Sequence, residues 1–436
     1  MFGMMRLPDS GSSPRPALTR RLLATAATAS AAVMLAGCAG SAGSQSSNEA
    51  GAGAGFDYGA DQADVDAALA DLDPVTITYQ PTAASEKSVM APGGTVLAEE
   101  IEKRSGGKIS VDIVWGQAIA GYTEVHDALA DGRVDLAFTL PAYDPAEFPA
   151  FDAMSTALAL LPSSPYAGEL VANAAGAEVA WGSDALVEEF EAQGLSPLIP
   201  LIASGGYYTI CTDPLETAED FDGRQIRIGS SAQSEQIQNL GATPVSLPFP
   251  ETYEALQRNT IDCDLGQLIP AAESGMFDVA KHIAYPTEHS FSRSPGAYMA
   301  GKTYRELPLA YQQVIYDAMI AAFDGQMQVS VGGNAVAVGA VKHAGGTITE
   351  FPSEVQKELG EQTQQMSREA GEQAGQDSLA DDMAAAGEKW STRIEELGFT
   401  DGGGVEDLDE WYDDGTDYRK FGTAVFEEVF TEHRPG

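Results

Sequence analysis

Glu219-Asp220-Phe221-Asp222-Gly223-Arg224-Gln225-Ile226-Arg227-Ile228-Gly229 opens the stretch on which the reading of this chain turns. It is followed by Leu240-Gly241-Ala242-Thr243-Pro244-Val245, by Glu251-Thr252-Tyr253-Glu254-Ala255-Leu256-Gln257 and by Ile261-Asp262-Cys263-Asp264. Asp222-Gly223 is a turn signal, and residues 225–228 form a short extended run. Residues 231–240 suit a helix that Gly241 would stop. Strand, helix, strand in that order predicts an α/β fold with a parallel sheet, since parallel neighbours need a crossover.

Outward from this stretch, the chain has 436 residues, enough for two domains with sizeable cores. It carries 24 basic and 65 acidic residues, a formal net charge of -41. A phosphate backbone would be repelled, which argues against nucleic acid as a partner. Acidity on this scale suits a heavily hydrated surface, as in saline surroundings.

Residues 1–38 read as an export signal. Arg15, Arg20 and Arg21 give it a basic start, and residues 22–36 are an apolar core too short to span a bilayer. Leu35-Ala36-Gly37-Cys38 resembles a lipobox, in which Cys38 is diacylated, an ordinary signal peptide being the alternative. Thr19-Arg20-Arg21-Leu22-Leu23 is twin-arginine-like, so the export route stays open. Residues 39–74 are dominated by Ala, Gly and Ser at first and read as a flexible tether, with a short helix over 61–72 and the folded part beginning near Val75. With Cys38 assigned to lipid, Cys211 and Cys263 are an even pair in an oxidising compartment and are expected to be bridged, two buried free thiols being the alternative.

Alternation over residues 75–80 predicts a strand, residues 95–104 a helix ended by Gly106-Gly107, and 108–115 a second strand. A helix over 121–131 leads through Gly132-Arg133-Val134-Asp135 into a strand ending at Leu140-Pro141-Ala142-Tyr143. Ligands meet the carboxyl ends of strands in open α/β sheets, which makes Tyr143 a cleft candidate, with packing beside Pro141 as the alternative. Residues 166–194 read as helix and 196–203 as strand. Gly205-Gly206 then suits a crossover between domains, where Tyr207 or Tyr208, but only one of them, would face a cleft. Further on, residues 307–327 read as helix, and 353–397 as a long helical region broken near Gly371 and Gly375.

Catalytic signatures are missing. His126, His282, His289, His343 and His433 are scattered, and no zinc, nucleophile-elbow or Walker motif occurs. Ser105-Gly106-Gly107-Lys108 matches Ser-x-x-Lys only by accident, because no partner motif follows. His289 lies near a strand end and is read as structural. Residues 401–418 hold eight acids without a base; Asp407 and Asp409 fall short of a calcium loop, so a solvated acidic loop is expected.

The order of elements between Glu219 and Asp264 resembles the solute-binding proteins of tripartite ATP-independent periplasmic (TRAP) transporters. Their pattern runs Asp-Leu-x-Gly-x-Lys-x-Arg, Leu-Gly-Ala-x-Pro, then Glu-x-Tyr-x-Ala-Leu-Gln and an Asp-Gly-like turn, and this chain keeps nearly all of it. In that family the arginine closing the first element holds the ligand's carboxylate; the matching residue is Arg227. A planar guanidinium can pair both carboxylate oxygens. One departure stands out. The family's Asp-Gly-x-x-Asn has become Asp262-Cys263-Asp264-Leu265-Gly266, with Gln267 next to the lost asparagine as its substitute.

The resemblance implies a two-domain, periplasmic-binding-protein-like (type II) α/β fold with a hinge and a long bracing helix. Domain I takes residues 75–203 with 290–330, and domain II takes 204–289 with part of 331–400, including the long helix; 401–436 form an acidic C-terminal extension. The implied activity is non-enzymatic. A lipid-anchored receptor on the extracytoplasmic face of the cell membrane captures a small organic acid between Arg227, Tyr143, Tyr207 and Gln267. It then delivers the acid to an ion-gradient-driven permease of two subunit types. No catalytic residues, metal or cofactor are implied. The alternatives are an extracellular lipoprotein hydrolase, and an ABC-type or sensory binding protein.

Overall fold

The computed structural model describes residues 54–436; the signal-like segment with Cys38 lies outside the described residues. Two sheets organise the fold. The first joins β1 (Val75–Gln80), β2 (Ile109–Ile113), β3 (Leu136–Thr139), β4 (Ser196–Ile202) and β10 (Gly296–Ala300) in the order β2-β1-β3-β10-β4. β1 pairs in parallel with β2 and β3, whereas β10 runs antiparallel between β3 and β4. All of β3 is buried, as in a strand covered by helices on both faces.

The second sheet joins β5 (Tyr208–Cys211), β6 (Gln225–Ile228), β7 (Thr243–Ser246), β8 (Cys263–Gly266), β9 (His282–Tyr285) and β11 (Thr347–Glu350) in the order β11-β9-β5-β8-β6-β7. β6 pairs in parallel with β7 and β8. The helix between β6 and β7, Ser231–Asn239, is capped by Ser230, whose hydroxyl accepts from the Gln233 N–H. Gly241 follows it at φ 91°, a conformation glycine adopts without strain. Cys211 and Cys263 face each other across β5 and β8 and are joined by a disulfide.

The chain passes between the lobes several times. One crossing joins β4 to β5 and another joins β9 to β10. A third is helical: Met319–Met327 packs on Pro92–Arg104 of the first lobe and continues through a π-helical turn, Gln328–Gly333, into Asn334–His343, which packs on Leu268–Glu273 of the second. The long helical region expected over 353–397, with a break near Gly371 and Gly375, is two helices. Ser353–Gln373 touches Pro149–Ala157 in the first lobe and Ser231–Asn239 in the second; Leu379–Glu396 returns along Ala167–Trp181 of the first. Gly375, at φ 70°, makes the break, whereas Gly371 stays helical and leaves room for the Gln376 carbonyl oxygen, which a β-carbon there would approach to 2.7 Å.

Two readings fail at the ends of the described body. The tether expected to reach residue 74 gives way to packed chain at Phe56, and the helix Gln62–Leu69 buries Val65 and Leu69. Small-residue composition concealed a few apolar side chains at helical spacing. The expected acidic extension likewise delivers Tyr418, Phe421, Phe426 and Phe430 into the first lobe's core. Phe323 packs edge-on against Phe421 and Phe430 at 5.9 and 5.6 Å. Counting acids missed these aromatics, whose charged neighbours form the outer face of the same short helices. Arg434 then fastens the end, donating to both Asp317 oxygens at 2.7 and 3.0 Å and to the Phe56 carbonyl at 2.8 Å.

Phe430→Ala should lower stability by about 3–5 kcal/mol, read as a fall in the urea midpoint, because the cavity opens inside a packed aromatic cluster. The exposed Glu427→Ala should stay within roughly 0.5 kcal/mol of the parent. His126 generates a pH test. Its ring lies 4.6 Å from Phe148, and burial lowers its pKa from 6.5 to about 4 against the opposing charges of Asp144 and Asp127. The unfolded chain therefore takes up this proton first. His126's share of stability is complete above pH 6.5 and is lost as pH falls towards 4. His126→Phe should remove that share, up to roughly 3 kcal/mol, from the acid sensitivity of the urea midpoint; identical pH profiles would refute the assignment.

Candidate functional site

A cleft of about 1120 Å³ lies between the lobes, lined by both and floored by Gln326 of the helix Met319–Met327 and by Val329 and Ser330 of the π-helical turn. The register of the second sheet sets the one cationic group that lines it among the described residues. β6 and β8 place Arg227 opposite Asp264, while Ile226 and Ile228 turn to the other face and its apolar core. Arg227 Nε donates to the Leu247 carbonyl at 2.9 Å, and Nη1 lies 3.4 Å from Asp264 Oδ1. Its guanidinium carbon stands 5.9 Å from the Phe249 ring centroid. Nη2 has no hydrogen-bond partner among the described residues, so one edge of the fork is available to a guest.

Asp264 explains the glycine at position 266. Its carboxylate curls over Gly266, where a β-carbon would collide with Asp264 Oδ2. Oδ2 is buried and has no partner among the described residues. Burial pushes the Asp264 carboxyl above its ordinary range, and the neighbouring Arg227 opposes that shift. An acid two residues earlier on the same strand face therefore fills the space beside position 266.

Behind the cleft, the crossings meet at a second ion pair. Arg293 donates to both oxygens of Glu169, at 2.7 and 3.0 Å, and both side chains are fully buried. Gly206 lies against the same carboxylate, where a β-carbon would stand 3.1 Å from Glu169 Oε1. One carboxylate on the helix Ala167–Trp181 thus meets the segments leading into β5 and β10. At the rims, Ser88 Oγ and the Val89 N–H both donate to Glu273 Oε1 at 2.7 Å, and Ser231 Oγ donates to Asp152 at 3.2 Å.

All four residues expected from the sequence line the cleft: Arg227, Tyr143, Tyr207 and Gln267. Tyr143 stands half-exposed at the mouth, edge-on to Tyr122 at 5.9 Å. Tyr207 faces the cleft and has its hydroxyl pushed to about 12 by burial, while Tyr208 turns into the second lobe's core. Gln267 donates to the Gly205 carbonyl at 3.4 Å. His289 lies outside the cleft, over Gly360. Ser105 closes a turn with Ile109, and Lys108 donates to the carbonyls of Ala70 and Leu72. Lys342 sits among Asp407, Asp409 and Glu410 at 2.7–3.4 Å. Sequence reading missed Asp264, Glu169, Arg293 and Phe249. Only Asp264 had a signal, its even spacing from Asp262 in the decisive stretch.

Such a cleft can bind and enclose; among the described residues, no histidine, cysteine or lysine lines it. Two lobes of this topology around one arginine-bearing cleft define a solute-binding protein. Residues 81–373 match the family described as bacterial extracellular solute-binding protein, family 7, and the chain belongs to that family, which provides the binding proteins of TRAP transporters. Among curated relatives, the ectoine-binding periplasmic protein of Halomonas elongata is 27% identical over 154 residues, 35% of this chain and 44% of the relative. A solute-binding protein of Albidiferax ferrireducens is 26% identical over 222 residues, 48% of this chain and 63% of the relative. The chain therefore spans less than two thirds of these relatives' lengths. In fold it is similar to a marine metagenome TRAP solute-binding protein crystallised with 3-hydroxybenzoate, at a TM-score of 0.63 and 20% identity, covering 73% of this chain and 99% of that one.

Glu169→Gln leaves Arg293 as an unpaired buried cation and should cost about 3–5 kcal/mol in urea unfolding. Adding Arg293→Met should recover much of that loss, since the charge left without its partner is then gone. A double variant as unstable as the single one would show that the pair is not the source of the effect.

Proposed function

We propose that this protein is the extracytoplasmic receptor of a TRAP transporter, holding a small carboxylate-bearing solute on Arg227 and passing it to an ion-gradient-driven permease. The observation that carries the reading is the state of Arg227: fixed by Leu247, Asp264 and Phe249, with Nη2 left open on the cleft wall. A guanidinium held in place loses little further freedom when it pairs with a carboxylate. Tyr143, Tyr207 and Gln267 complete the proposed ligand set, and the protein itself performs no chemistry on the solute. Relatives named for ectoine and sialic acid, and a fold neighbour crystallised with an aromatic acid, support a small acid as the class. Export, with a lipid on Cys38 tethering the receptor to the membrane, belongs to the same proposal and rests on the sequence of residues 1–38.

A thermal-shift screen of the form beginning after Cys38, against organic, amino and sugar acids, tests the reading. Solute at about 100 times its Kd should stabilise by roughly 2.7 kcal/mol. Arg227→Ala should weaken a hit by about 2–5 kcal/mol, and Arg227→Lys by less, without restoring the fork geometry. A hit that persists in Arg227→Ala would remove the arginine from the site. Recovery of altered solute after denaturation would favour the hydrolase instead.

A further inference from the structure

Charge, not shape alone, limits what this cleft accepts. Among the described residues, Arg227 is the only cationic side chain on the wall, set against Glu124 and Glu273 on the wall and Asp264 directly behind it. Asp264 already takes one edge of the guanidinium, and its Oδ2 is buried without a partner. A purely anionic guest on Nη2 would put two carboxylates on one guanidinium inside a site already rich in acids. The repulsion is strongest where water is excluded.

The wall facing Arg227 is built differently. Glu273 is occupied by its two donors from Ser88 and Val89, but Glu124 makes no ion pair or side-chain hydrogen bond to protein among the described residues. Glu124 lines the same stretch of wall two residues on from Tyr122, whose ring is edge-on to Tyr143 at 5.9 Å. Aromatic faces backed by a carboxylate are the surroundings that hold quaternary or delocalised cations.

We propose that the cleft is specific for zwitterionic monocarboxylates, with the carboxylate on Arg227 and a compact cationic end against Tyr122 and Tyr143 under Glu124. The inference rests on the carboxylate reading of Arg227 and narrows it. A guest that brings its own positive charge offsets Asp264 and Glu124, which a simple organic acid does not. It also approaches a chain of formal net charge -41 without net repulsion.

Isosteric pairs separate charge from shape: 3-methylbenzoate against N-methylpyridinium-3-carboxylate, and cyclohexanecarboxylate against pipecolate, each titrated calorimetrically into the protein. The zwitterion of each pair should bind about tenfold tighter or more. Glu124→Gln, a change at an exposed position, should shrink that ratio while leaving the ligand-free melting temperature unchanged. Equal affinities, or tighter binding of the anions, would overturn the inference and leave the carboxylate reading standing. A preference unmoved by Glu124→Gln would overturn the placement of the cationic end. If both members of each pair bind Arg227→Ala as well as the parent, or none binds the parent at all, the carboxylate reading fails and this inference with it.

Discussion

The fully buried pair between Glu169 and Arg293 governs how the two lobes are held. Removing a carboxylate and a guanidinium from water costs several kcal/mol per ion, so the pair is tolerated only in close geometry with further hydrogen bonds. Here both carboxylate oxygens meet the guanidinium, and Gly206 packs against the same carboxylate. The two strand crossings therefore converge at one point on one helix. The glycine pair before β5 lies at that point, and the π-helical turn runs beneath the cleft. A wider helical turn exchanges one set of backbone hydrogen bonds for another more readily than a regular helix does.

From that point the cleft follows by register. β6 lies beside β8, so Arg227 and Asp264 must meet, and Asp264 in turn requires glycine two residues later. One acid thereby orients the arginine, requires glycine at position 266, and changes the charge that a guest encounters. Phe249 and the Leu247 carbonyl, from the loop after β7, close round the same guanidinium. A single local sequence, read through the sheet, sets the chemistry of one whole wall.

Much of this was legible before any coordinate. Glycine and aspartate marked the turn before β6, the helix after it ended at Gly241, and Arg227 stood out by its neighbours in sequence. Tyr207 and Tyr208 obeyed strand alternation, which sends only one of them to the cleft. Illegible were the features that join distant residues. Glu169 and Arg293 are 124 positions apart, and neither sits in a motif that names the other. The ends of the body were misread for another reason. Charge and small-residue counts average over a window, whereas burial depends on the few large side chains within it, here Phe56, Phe421, Phe426 and Phe430.

Those aromatics also impose an order of assembly. The second sheet is built almost entirely from one continuous stretch between Tyr208 and Tyr285, with β11 added at its edge. The first lobe draws on Phe56 at one extreme and Arg434 at the other, where the two are in hydrogen-bond contact. As the chain emerges, whether from a ribosome or a translocation pore, the second sheet can close while the first lobe still lacks part of its core. The disulfide between β5 and β8 lies within that stretch, although the second lobe's core also takes in Val338, Val341, Val405 and Leu408 from later in the chain. The cleft, made of both lobes, comes into being only at the end.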